Sequence, residues 1–249
     1  MISKQNDTVH AITLGLIKYG DTSLISACYT LEYGMQSYML KGILAKGKKK
    51  VSKSLFEPLN LLELQAPKNP ENPENRLSYI KEAKLHYAYS SIPYDLNKKA
   101  LVFFLSEVLH QVFREEQEPN PPLYHFVKKN LIWLDTQNKL GLFHIKMMLD
   151  LTEFIGFYPN MSNSEAPYFD LQAGCGSFIK PVTPFIEEPM KSYWTSILGT
   201  AYDKIGNIQL IKEQKTEMLR NIIIYFELHL QQFKPPKSTE ILNEIFKTP

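Results

Sequence analysis

A chain of 249 residues with 44% hydrophobic and 22% charged residues carries enough apolar side chain for a buried core, which excludes a disordered or fibrous protein. Its formal net charge is only +2, and its two cysteines, Cys28 and Cys175, exclude a disulfide framework. No run approaches the ~18 uninterrupted apolar residues of a membrane-spanning helix, and the opening MISKQNDTVH has no apolar segment of the secretory type, so a cytoplasmic protein is expected.

Residues 1–90 read as strands. AITLGLIKY alternates Ile12, Leu14 and Leu16 with smaller residues and ends at the turn pair Gly20–Asp21. TSLISACYT follows, then the turn EYG, then MQSYMLKGIL. LNLLELQ is a fourth strand, APKNPENPENR a loop, and YIKEAKLHYAY a fifth strand with Leu85, Tyr87 and Tyr89 on one face. Five strands in a small basic module predict an OB-fold or SH3-like barrel.

After Pro93 the apolar period changes from two to about 3.6. Leu101, Phe104, Leu105, Val108, Leu109 and Val112 form one helical stripe, closed by REEQEPNPP. Leu123, Phe126, Val127, Leu131 and Leu134 form a second. A third helix is expected over about 139–157, an irregular β-hairpin over about 158–186, and further helices from Lys191. The longest aligns Leu219, Ile222, Phe226, Leu230 and Phe233. The expected fold class is therefore α+β, with a barrel domain over 1–92 and a helical domain over 93–249.

Charge separates the two parts. Residues 1–90 hold 12 Lys and Arg against 8 Asp and Glu, and the other 159 hold 16 against 18. Six lysines (Lys41, Lys46, Lys48, Lys49, Lys50 and Lys53) stand in LKGILAKGKKKVSKSL without an acid among them. Gly42-x-x-x-x-Gly47-Lys48-Lys49 nearly spells a phosphate-binding P-loop, but Lys49 replaces the hydroxyl residue that holds magnesium, and KKVSKSLFEPLN opens no helix. LIWLD, ending at Asp135, mimics a Walker B strand but fits the second helical stripe better. A membrane surface would call for a basic amphipathic helix or a lipid anchor, and neither is visible. Six unpaired ammoniums along one edge suit a nucleic-acid backbone, where each neutralises a phosphate and releases counterion. Tyr19, Tyr29, Tyr33 and Tyr38 lie in the same module; each alone reads more readily as core or turn packing than as a base-stacking platform.

Catalytic patterns are thin. His10, His86, His110, His125, His144 and His229 share no metal-ligand spacing, and no G-x-S-x-G elbow is present. Cys175, between Gly174 and Gly176, reads as a small buried residue of the hairpin. Binding is expected rather than turnover, with no cofactor.

The order of these features resembles the RecO family of bacterial recombination mediators. Lys18, Tyr19, Gly20, Asp21, Ser23 and Leu24 are similar to its first turn, and Thr30, Glu32 and Gly34 to its second. Lys41 and Gly42, the basic run, Ser54, Leu55, Pro58 and Leu59 follow in the family's order. His229, Leu230, Lys237 and Ser238 are similar to its closing segment. The resemblance implies an N-terminal OB-fold, a helical domain and no enzyme activity. It implies binding of single- and double-stranded DNA, strand annealing, and work with RecR to load RecA onto strands coated by single-strand binding protein (SSB), near the nucleoid. The DNA-binding set is then Lys18, Lys41, Lys46, Lys48, Lys49, Lys50 and Lys53. For the acidic SSB tail it implies Lys139, Phe143 and Lys146 at the start of the third helix. Many members carry a four-cysteine zinc insertion; only Cys175 stands here, so a metal-free hairpin held by Tyr168, Phe169 and Phe178 is expected. The alternative is an adaptor whose basic barrel binds an acidic peptide.

Overall fold

A computed structural model describes residues 6–47, 51–67, 77–116 and 118–245. The chain divides into two compact units, one of residues 1–94 with 105–135, the other of 95–104 with 136–249.

In the first unit, β1 (Asn6–Tyr19), β2 (Ser23–Thr30), β3 (Gly34–Leu40), β4 (Leu61–Pro67), β5 (Leu77–Tyr79) and β6 (Glu82–Tyr87) form one sheet in the order β5-β3-β2-β1-β4-β6. β1 pairs with β4 through Asn6–Ile12 and with β2 through Ala11–Tyr19. A bulge between Thr13 and Gly15 marks where the strand changes partner and bends, as bulged strands do. This is the OB-type fold expected from the sequence, with six strands rather than five. The run YIKEAKLHYAY breaks at Ile80–Lys81, so that β5 runs parallel to β3 at one sheet edge while β6 runs antiparallel to β4 at the other. Two residues join opposite edges, which requires the sheet to curl round on itself. Val9, Ala11, Leu24, Cys28, Tyr38, Leu40, Phe56, Leu62 and Leu64 fill its inside. Leu85, expected on an apolar face, is exposed, because β6 is an edge strand.

Helix α1 (Leu96–Glu115) contributes residues to both units, and α2 (Pro121–Thr136) belongs to the first. Their apolar stripes are buried as read from the sequence, Phe126 only partly. The turn Ser90–Ile92 is pinned by Asp135 at the end of α2. Its carboxylate accepts from the backbone nitrogens of Ser90, Ser91 and Ile92 at 2.8 to 3.0 Å.

The second unit holds α3 (Phe143–Phe154), α4 (Met190–Leu198), α5 (Lys212–His229) and α6 (Thr239–Ile245). The expected hairpin is a three-stranded sheet, β8-β7-β9, of Tyr168–Asp170 (β7), Cys175–Ser177 (β8) and Phe185–Ile186 (β9). Phe169 is buried within 6.0 Å of the Trp194 ring, and Tyr168 meets Phe185 edge-on at 5.4 Å. Phe178 does not join them: it is 63% exposed at the tip beyond β8. Polar contacts complete the attachment. The buried Lys191 ammonium donates to the carbonyls of Ser164 and Ala166, and His229 Nε2 donates to the carbonyl of Leu171 at 2.9 Å.

Candidate nucleic-acid interface

The lysines are placed by β-register. Lys18 pairs with Leu24 and Leu24 with Leu40, so Lys18 and Lys41 come to the same end of the sheet. Gly20, at φ 59°, makes the tight turn between β1 and β2 that only a residue without a Cβ adopts freely. The β3 end docks on this turn: Gly42 N donates to Ser23 Oγ at 3.2 Å, and Leu44 N to the Thr22 carbonyl at 2.9 Å. Ile43 is buried in the sheet's core, which anchors the start of the lysine segment and leaves Lys41 and Lys46 exposed on either side.

At the other end of the segment, Ser52 caps a short 3-10 turn (Lys53–Phe56) by accepting from Ser54 N. Phe56 fastens that turn in the core, and Asn60 Nδ2 donates to the carbonyls of Ser54 and Leu55. Lys53 is exposed. Lys48, Lys49 and Lys50 lie outside the described residues. Among the described residues, no ion pair involves Lys18, Lys41, Lys46 or Lys53. Lys46 is thus exposed between two fixed anchors, and an exposed ammonium on a flexible stem is suited to following a phosphate backbone.

The four tyrosines divide. Tyr29 and Tyr38 are buried, and Tyr33 is half-buried with its hydroxyl donating to Asp7 at 3.2 Å. Tyr19 alone of the four is exposed, at 55%, next to Lys18. The near-P-loop has no helix to feed: the segment after Gly47 leads to the 3-10 turn at Lys53–Phe56, and the first α-helix among the described residues begins at Leu96. Asp135, the mock Walker B acid, is committed to the Ser90–Ile92 turn.

The residues implied for a peptide tail are placed differently from the lysine edge. Lys139 is exposed, Phe143 is 0% exposed, and Lys146 is 6% exposed. Lys146 Nζ donates to Asp150 at 2.6 Å and to the Leu198 carbonyl at 3.2 Å, and lies 5.5 Å from the centre of the Tyr202 ring. Burial pushes the Asp150 carboxyl up, and the bond from Lys146 opposes that shift. Phe143 and Lys146 therefore serve the interior of α3 as it stands.

Sequence spacing missed one cluster. His10, Glu63 and His86 converge on three adjacent strands of the first unit, although 76 residues separate the two histidines.

Fold and site define a two-part α+β protein, a curled OB-type sheet with an unpaired cationic end followed by helices bearing a small three-stranded sheet. Comparison with known proteins gives the family. Residues 5–89 match the family described as Recombination protein O N terminal, and residues 93–240 match Recombination protein O C terminal. DNA repair protein RecO of Christiangramia forsetii is 36% identical over 236 residues, covering 95% of this chain and 97% of that one. The RecO proteins of Flavobacterium psychrophilum and Bacteroides fragilis are each 33% identical, over 236 and 240 residues, with 97% of each relative covered. The chain belongs to the RecO family of DNA repair proteins. No helix among the described residues is long and apolar enough to cross a membrane.

Proposed function

We propose that this protein is a DNA-binding recombination mediator that acts without catalytic turnover in the cytoplasm, near the nucleoid. In this reading residues 1–92 bind single- and double-stranded DNA and residues 93–249 carry contacts to protein partners. The observation that carries it is the end of the sheet where Lys18, Lys41 and Lys46 stand exposed, as does Tyr19, with no carboxylate paired to these lysines among the described residues. Lys48, Lys49, Lys50 and Lys53 extend the same positive run. Mobile ammoniums neutralise phosphates without engaging base edges, so two bound strands keep their pairing faces free. Annealing follows from that alone, because bringing two polyanions together is the costly step and pairing then proceeds unaided.

Loading of RecA onto SSB-coated strands, together with RecR, belongs to the same proposal and rests on family membership. The SSB tail is assigned to the Lys139, Phe143 and Lys146 region. Lys139 offers the free charge there, and Lys146 reaches a tail carboxylate only by releasing Asp150.

A strand-annealing assay tests this reading. The protein should accelerate pairing of complementary strands without nucleotide or magnesium, and the acceleration should fade as salt rises. No acceleration at low salt, or strand cleavage with magnesium, would contradict it.

A further inference from the structure

The cluster His10, Glu63 and His86 lies on the sheet at the opposite end of β1 from Lys18. His10 and Glu63 are direct partners across β1 and β4, so their side chains leave the same face. Glu63 pairs in turn with Lys84 across β4 and β6, and His86, two residues on, shares that face. A register shift opposite Leu61 and Leu62 leaves His86 as the extra residue of a β-bulge, a device that re-aims a side chain. The result is that one ligand atom from each of the three side chains lies within 4.8 Å of the others. Tetrahedral sites with imidazole and carboxylate ligands hold their donor atoms about 3.4 Å apart. Side-chain rotations alone can close the remaining distance, since none of the three is fully buried.

The surrounding hydrogen bonds fix which nitrogens are free. His10 Nδ1 lies 2.8 Å from Glu32 Oε1, and Glu32 Oε2 also accepts from the His10 backbone nitrogen at 2.9 Å. A carboxylate only accepts, so His10 Nδ1 carries the proton and the neutral ring keeps its lone pair on Nε2. That carboxylate–imidazole pairing is the usual support for a metal-bound histidine. On the other side, Lys128 Nζ sits 2.8 Å from His86 Nε2. An ammonium only donates, so His86 Nε2 presents a lone pair and already holds a cation against the cluster. Lys84 closes the ring of contacts at 2.8 Å from Glu63.

We propose that His10, Glu63 and His86 form a three-ligand site for a borderline divalent transition metal of the zinc or cobalt type, with Glu32 as the positioning residue behind His10. Two imidazoles and one carboxylate suit these ions and not magnesium or calcium, which take all-oxygen sets. Solvent completes the coordination. Entry of the metal displaces the Lys128 ammonium from His86 and the Lys84 ammonium from Glu63. These lysines are therefore competitors of the metal, and removing one strengthens its binding.

The test uses the full chain freed of metal by chelation and titrated with Co(II), followed by visible absorption and calorimetry. One equivalent should bind, with the intense visible bands of a four-coordinate ion. His86→Ala should weaken binding at least about 100-fold, and Glu32→Gln about 10-fold or more. Lys128→Met should tighten it, and Cys175→Ser should leave it unchanged. The Lys128→Met arm remains informative even if a histidine variant folds poorly. Absence of saturable binding to the parent chain, equal affinity in His86→Ala, or weaker binding in Lys128→Met would each overturn the site.

Discussion

Tyr29 stacks face to face on Phe113, with ring centroids 3.8 Å apart and planes 5° from parallel. The tyrosine hydroxyl extends the join, donating to the Glu118 carbonyl and accepting from Asn120 N at 3.1 Å. A strand of the sheet and the end of α1 are thereby joined within one compact unit, and the ring is removed from any role in stacking on bases. Tyr29→Ala should cost about 3 to 5 kcal/mol of stability in urea unfolding. Tyr19→Ala should leave unfolding unchanged and weaken single-strand binding by about 1 to 3 kcal/mol. If the two phenotypes were exchanged, the division between core and surface tyrosines would be wrong.

Asp135 should carry a pH-dependent part of stability. Burial opposes its ionisation, but the amides of Ile92, Ser90 and Ser91 outweigh burial and hold its pKa at about 2. The folded value lies below that of an unfolded aspartate, about 3.9, so the contribution is complete above that value and disappears as pH falls toward 2. Asp135→Asn should lose on the order of 2 kcal/mol at neutral pH, and the gap from the parent should close on acidification. Urea midpoints measured against pH check this; a gap that stays constant would refute it.

Lys146→Glu is expected to act on the fold before it acts on any partner. It would set a second carboxylate against the partly buried Asp150 and take a donor from the Leu198 carbonyl, at a cost of about 3 to 5 kcal/mol. Lys139→Glu should leave the melting temperature within about 2 °C and weaken binding of an acidic SSB tail peptide, because Lys139 is the exposed charge of that region. A stable Lys146→Glu protein would remove the ion pair from the account of α3.

The small sheet of the second unit should depend on Lys191 rather than on a thiol. Lys191→Met strands the carbonyls of Ser164 and Ala166 and should cost about 2 kcal/mol or more, with faster proteolysis around 177–183. Cys175→Ser, or EDTA, should leave that proteolysis rate unchanged. Protection that required Cys175 or a metal would contradict this.

These contrasts show where sequence was readable. The helical stripe of α1 was legible because six apolar residues repeat at one period; that of α5 was legible only through Phe226, since the helix ends at His229 and Leu230 and Phe233, read as its continuation, are buried beyond it. The OB-type sheet was legible from its turns, but β5 (Leu77–Tyr79) was not: only its last residue falls in YIKEAKLHYAY, and alternation is blind to the change of partner at Ile80–Lys81. Phe178 was misassigned because an aromatic beside a strand reads as core, and only the three-dimensional course of the chain shows that it lies at the tip. Phe143 and Lys146 lie on a helix whose residues 143–149 are all buried, which no single-face pattern distinguishes from a docking surface. His10 and His86 were invisible as a pair because register across β1, β4 and β6, not spacing, brings them together.

The salt dependence of single-strand binding tests the central claim most directly. Equilibrium affinity for a long unlabelled strand, competed against a labelled one, should fall linearly on a log–log plot against salt concentration. Changing Lys18, Lys41, Lys46 and Lys53 together to Ala should leave the melting temperature unchanged, since all four side chains are exposed. It should reduce the slope by about 0.7 for each phosphate no longer neutralised, or about 3 units if all four lysines engage, with equal weakening for every base sequence. An unchanged slope with intact affinity would show that the lysine edge only keeps the protein soluble and that any DNA is held elsewhere.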